Sequence, residues 1–145
     1  MGCDIHVAIE TRRRGDRLWR RFCIVKDLGR SYQFFAELAD VRGVSQYMPI
    51  AANRGTPPDA EWWVPHDLGE HSFTWCWPTE WATALRRSRF VERFEHSRWE
   101  RFSIWLENIF QLEVTRRDCS FSRVLEVCRT LERTREVRLL IGFDS

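Results

Sequence analysis

Asp4 and His6 stand two residues apart near the start of the chain, in the stretch Met1-Gly-Cys-Asp-Ile-His-Val-Ala-Ile-Glu10. On an extended strand, residues two apart share a face, so carboxylate and imidazole project together. That pairing supports two chemistries. Imidazole and carboxylate are ordinary ligands for zinc, manganese or iron, and two histidines with one carboxylate leave positions open for water and substrate. A metal held that way lowers the pKa of its bound water and generates a nucleophile. Without a metal, His6 or His71 would act as a general base oriented by Asp4. His71 and Asp144 are the further donors, so the candidate metal ligands for zinc or manganese are Asp4, His6, His71 and Asp144. The candidate catalytic residues are Asp4, His6 and His71. Arg42 or Arg54 can clamp phosphate oxygens with two parallel hydrogen bonds. Cys3 and His6 point to opposite faces of such a strand, which argues against a Cys–His nucleophile.

The elements that must position these groups follow from periodicity. Residues 3–12 alternate, with Cys3, Ile5, Val7 and Ile9 on one face and Asp4, His6, Ala8 and Glu10 on the other. Arg13-Arg14-Gly15-Asp16 reads as a turn, and a second alternating run over about 17–26 completes a hairpin. Ser31 is a suitable N-cap for a helix over about 32–40, in which Phe34, Phe35, Leu38 and Val41 keep helical spacing. A long irregular stretch runs from Gly43 to about Gly69, and loops of that length in a compact domain are usually functional or disordered. Residues 71–77 form a short strand or an extended lead-in. Pro78 opens a helix reaching about Arg89. Further helices are expected over about 97–112 and after a cap at Asp118 or Ser120, the latter burying Phe121, Val124, Leu125, Cys128 and Leu131. Val137 to Ser145 reads as a buried strand. The expected architecture is a single α+β domain over residues 1–145, a small mixed sheet holding both chain termini and covered by three or four helices. If the first and last strands are neighbours, Asp144 falls near Asp4 and His6.

Composition narrows the class. With 145 residues and 43% apolar content the chain can bury a real core. No apolar run approaches the roughly 20 residues needed to span a membrane, and the charged, alternating first strand is unlike a secretory leader. Gly2-Cys3 is not read as an acylation signal, because His6 stands where Ser or Thr is required. The five cysteines form no C-x-x-C pair, which points to reduced buried thiols and a cytoplasmic setting. A net charge of +2 is small and decides little about nucleic acid; the glutamates interleaved with the arginines argue against it as a partner. The run from Arg86 to Arg98 interleaves arginine with Glu92 and Glu95, as a solvated helix face does. Most of the eight tryptophans are expected in the core, with Trp62 and Trp63 left open because they fall in the loop.

The opening Met1 to His6 also carries a resemblance, together with Arg30 to Arg42, Arg54-Gly-Thr-Pro-Pro-Asp59, His71-Ser72 followed by Trp75, and Gly142-Phe143-Asp144. In these pieces the chain resembles small uncharacterised phage and bacterial proteins that open with Met-Gly-Cys-Asp-Ile-His. Residues 86–135 match poorly. The resemblance implies a shared fold and a shared polar site, with Arg54, Asp59 and Ser72 joining Asp4, His6, His71 and Asp144, but no activity.

Three readings stand side by side. One is a metal-assisted hydrolase of a nucleotide or other phosphate ligand; Asp-x-His opens the metallophosphoesterase pattern, but its later Gly-Asn-His-Asp block is missing. Another is a non-catalytic module that sequesters a nucleotide signal or blocks a host protein, gripping it with Arg42, Arg54, Trp62 and Trp63. In the last, Asp4, His6 and Asp144 form a satisfied hydrogen-bond network that fixes the sheet.

Overall fold

The computed structural model describes residues 2–25, 28–42, 45, 48–69, 71–88 and 121–144. The alternating N-terminal run forms β1 (Asp4–Arg12), with Cys3, Ile5, Val7 and Ile9 buried on one side. Its turn closes where the Asp16 N–H donates to the Arg13 carbonyl at 3.0 Å. Gly15 there takes φ +90°, a conformation in which a Cβ would be strained. β2 (Arg20–Val25) then pairs antiparallel with β1. Its register slips between Ile9 and Glu10, so Cys23 faces Ile9 while Arg21, not Phe22, faces Glu10. Simple alternation groups Arg21 with Cys23 and Val25. The bulge re-aims it to the other face of the sheet, as bulges do.

The helix α1 (Tyr32–Ala39) starts at Ser31, whose extended backbone lets its hydroxyl accept from the Phe34 N–H at 3.4 Å. It ends at Asp40 in left-handed geometry. After the long loop, which contains the single turn α2 (Val64–Asp67), come β3 (His71–Cys76) and α3 (Pro78–Ser88). The chain continues with α4 (Phe121–Glu132) and β4 (Glu136–Asp144).

The strand order is β2-β1-β4-β3, and all three pairings are antiparallel. The fold is therefore α+β, with strands from both ends of the chain side by side in one sheet, which is antiparallel throughout because β4 enters between β1 and β3 and runs against both.

The longer helices bury their apolar sides against one face of this sheet. Phe34, Phe35, Trp81 and Phe121 are essentially inaccessible, with the Phe34 ring 4.7 Å from both Trp81 and Phe121. The Trp81 indole N–H donates to the Phe121 carbonyl at 2.8 Å, so even the polar edge of this ring is satisfied. Truncating a phenylalanine in such a setting costs about 3–5 kcal/mol, so this core fixes the frame on which the other face is built. Cys3, Cys23, Cys76 and Cys128 are all buried. Burial pushes the Cys3 and Cys76 thiols upward in pKa, so they are poor nucleophiles. The expected helix over 97–112, the caps Asp118 and Ser120, and the charged stretch beyond Arg89 with His96 lie outside the described residues. No helix among the described residues is long and apolar enough to cross a membrane.

Candidate functional site

The sheet's second face carries the polar residues. Directly opposed residues of an antiparallel pair share a face, and β1 meets β4 as Asp4↔Asp144, His6↔Gly142, Ala8↔Leu140, Glu10↔Arg138 and Arg12↔Glu136. The result is a line of polar and charged residues interrupted by one apolar step. That step, Ala8 with Leu140, is roofed by Trp63, Val64 and Leu68. The middle loop therefore packs on this face through a small core of its own. Gly142 permits the approach: a Cβ there would overlap the Leu68 carbonyl.

At one end of the line, His6 Nε2 donates to Asp144 Oδ2 at 2.7 Å. The histidine side chain is only 15% exposed, against 41% for the aspartate. Gly69 lies over the pair, where a Cβ would collide with the Asp144 carboxylate. His6 Nδ1 is buried and has no hydrogen-bond partner among the described residues. Asp4 points its carboxylate at Arg30, which donates through Nε at 2.7 Å and through its outer nitrogen at 3.3 Å.

The four proposed metal donors are thus only partly gathered. His71 is exposed on β3 opposite Phe143, and Phe143 enters the helix-side core. That register sets His71 on the other side of the sheet from His6 and Asp144. Among the described residues, no group of three or more histidines, cysteines and carboxylates is placed to hold a metal ion. The described residues do not gather two histidines and a carboxylate at one centre.

The expected ligand-binding residues are dispersed. Arg54 donates to Glu80 through both outer nitrogens, at 2.9 and 2.6 Å, and to the carbonyls of Ile50 and Trp75. It also lies 5.1 Å from the Trp75 ring centre. It is a clamp tying the loop to β3 and α3, and its own pairing holds it away from a ligand. Burial alone would raise the Glu80 pKa, but Arg54 and the Trp77 N–H outweigh it and hold this carboxyl below its usual range. Asp59 accepts from Arg138 at 2.7 Å, well away from His6 along the line. Ser72 is exposed in the β3 bulge with φ +54°, and Arg42 is exposed just past α1 with φ +55°. Trp62 is 82% exposed.

At the other end lies a cluster that side-chain type alone did not single out. Glu10 is fully buried and accepts from Arg138 Nε at 2.6 Å, while burial raises its pKa against the pull of that arginine. The guanidiniums of Arg138 and Arg12 lie 4.3 and 4.5 Å from the Trp19 ring centre. Arg12 also holds Glu136 at 2.6 Å. Trp19 in turn meets Trp77, and Trp77 meets Trp75 edge-on at 5.4 Å. The signal for this cluster was present in the alternation, which placed Glu10 on the polar face. Its partner was legible only from the register with β4.

Beside Trp19 the surface opens into a cleft of about 450 Å³ lined by Leu18, Trp19, Arg20, Arg21, Glu61 and Trp63. Its volume is within the range of ligand pockets. Arg21 lies 4.6 Å from the Trp63 ring centre and reaches Asp67 at 3.2 Å. Glu61 accepts from the Trp63 indole N–H at 2.9 Å. Arg20 is exposed. The cleft therefore has two largely buried indoles in its wall, a carboxylate at Glu61, and in Arg20 a guanidinium with no ion pair among the described residues. No family model matches the chain, and it matches neither a curated protein nor a solved structure.

Proposed function

We propose that this protein is a binding module for a small phosphate-bearing ligand of nucleotide type, with the cleft between β2 and the Glu61–Trp63 turn as its site. The observation that carries the reading is the open cleft of about 450 Å³ with Arg20 at its edge and Trp19 and Trp63 in its wall. A guanidinium takes phosphate oxygens bidentately, and a half-apolar wall takes a base. Trp62, 82% exposed and between the lining residues Glu61 and Trp63 in sequence, would add a third ring at the rim.

Isothermal titration with a panel of nucleoside mono-, di- and triphosphates tests this directly. Binding in the micromolar range, weakened at least tenfold by Arg20→Ala and by Trp62→Ala, is the expected result. No binding at millimolar nucleotide, or binding that neither substitution changes, sinks it.

A hydrolase remains the second reading because of the 2.7 Å contact between His6 and Asp144. In it, Asp144 orients the imidazole as a general base. Assaying phosphate release in the same titrations separates turnover from retention, and metal analysis of the purified protein tests for zinc or manganese.

A further inference from the structure

The chain's net charge of +2 conceals an uneven distribution. At one end of the sheet two turns meet, the β1–β2 turn and the α4–β4 turn. They are held together by the Thr11↔Arg20 and Arg12↔Glu136 pairings and by Arg135 donating to the Thr11 hydroxyl at 3.5 Å. These turns display Arg13, Arg14, Arg17, Arg20, Arg133 and Arg135, all exposed. None of the six makes an ion pair among the described residues. The acids nearby are Asp16 in the same turn, half-buried Glu132, Glu136, which Arg12 holds at 2.6 Å and on which Arg14 also acts, and Glu61, which lines the cleft with Arg20.

Elsewhere the protein pairs five of its arginines, Arg12, Arg21, Arg30, Arg54 and Arg138, with carboxylates, while Arg42, Arg86 and Arg129 make no ion pair among the described residues. Crowding into two adjacent turns six exposed guanidiniums that make no ion pair among the described residues costs repulsion. A polyanion removes that repulsion by supplying the missing charge.

The basic end continues into the cleft through Arg17-Leu18-Trp19-Arg20-Arg21, which interleaves cations with apolar side chains. Leu18 is 70% exposed here with no core to enter. Rings and apolar side chains next to a basic track are what unpaired bases and their backbone require. A duplex keeps its bases stacked inside and has no use for the cleft.

We propose that this pole binds single-stranded nucleic acid, with backbone phosphates on the arginines of the two turns and one base entering the cleft. The base contact rests on the binding reading above. The phosphate track does not.

The test uses the full chain, a fluorescent ten-nucleotide single strand and the mononucleotides above. The strand is expected to bind at least tenfold more tightly than any mononucleotide. Its log–log salt slope should be steep, at about 0.7 per phosphate contact. Replacing Arg13, Arg14 and Arg17 together by Ser should lower that slope by about 2. The same triple variant should leave mononucleotide affinity unchanged, and because the three side chains are exposed it should keep its melting temperature.

If mononucleotides bind and the strand binds no better, this inference fails and the cleft reading stands. If the strand binds and mononucleotides do not, the phosphate track stands and the cleft reading fails. Equal binding of heparin, of anionic lipid vesicles or of a duplex overturns the single-strand assignment, as does a triple variant with an unchanged slope.

Discussion

Replacing Arg138 by Met examines the second face at its most buried point. The guanidinium is 5% exposed and its partner Glu10 is 0% exposed. Glu10 already has one carboxylate oxygen without a partner. Removing the cation leaves an uncompensated buried charge, which costs about 3–5 kcal/mol. Loss of the contact to Trp19 adds about 0.5–2 kcal/mol. The contact to Asp59 adds little, because that carboxylate is half exposed. A total near 4 kcal/mol is a large share of the roughly 5–15 kcal/mol available to a domain. At a urea slope of about 2 kcal/mol/M it lowers the unfolding midpoint by about 2 M.

The double variant Glu10→Met with Arg138→Met should recover most of that loss, since an apolar pair of similar volume replaces a buried ion pair at little cost. The pH dependence has a definite sign. Burial raises the Glu10 pKa in the folded state, and losing Arg138 raises it further. Between the usual carboxylate range and that raised value the unfolded chain binds fewer protons than the folded one, so stability falls as pH rises. The penalty of the single variant relative to wild type should therefore shrink on going from pH 7 to pH 5. Urea melts at the two pH values decide the matter. A single-variant cost below about 1 kcal/mol, a penalty indifferent to pH, or a double variant no better than the single one would refute the buried-pair reasoning.

Three further outcomes are expected. Gly142→Ala should destabilise by about 1–3 kcal/mol or more and raise amide exchange in residues 61–69, because the added methyl meets the Leu68 backbone rather than a side chain that can turn away. Arg54→Ala should cost about 2 kcal/mol at neutral pH in urea melts, discounted for partial exposure. Because Glu80 is held below its usual range, that contribution is present above the usual carboxylate range and is lost as pH falls through the lowered value; the variant should lack this part of the acid transition. Trp62→Ala should shift the melting free energy by no more than about 0.5 kcal/mol, as expected for a largely exposed side chain, while removing a rim contact for the ligand.

The elements were legible where periodicity and capping are local. The alternation of residues 4–12, the cap at Ser31, the proline opening α3 and the apolar C-terminal run each report on their neighbours alone. The contact of His6 with Asp144 was conditional on strand neighbours, and the β1–β4 pairing supplies it. What eluded the sequence is what long-range geometry decides. The bulge opposite Glu10 turns Arg21 onto the polar face, and a one-residue shift of this kind leaves no compositional trace. His71 is polar and near a strand, yet its register partner is Phe143. Arg54 and Asp59 look like binding residues in a polar loop. Both are instead consumed in holding that loop to the sheet, Arg54 through Glu80 and two carbonyls, Asp59 through Arg138. A loop of this length needs such ties because its backbone polar groups and conformational entropy are otherwise uncompensated.

The two ends of the polar line therefore differ in what they can do. Gly69 and Leu68 press their backbone onto the His6–Asp144 end, and Gly142 is what lets them approach so closely. A substrate at His6 would have to displace a segment anchored by Trp63 and Val64 in its own small core. The opposite end needs no such displacement. There Trp19 is already in contact with two guanidiniums, the cleft stands open, and Arg20 makes no ion pair among the described residues. A ligand entering it meets a preorganised wall and leaves the sheet undisturbed, which lowers the ordering cost of binding. A ligand would thus enter at the cleft beside the arginine-bearing turns without moving the loop, whereas His6 lies beneath that loop at the far end of the sheet.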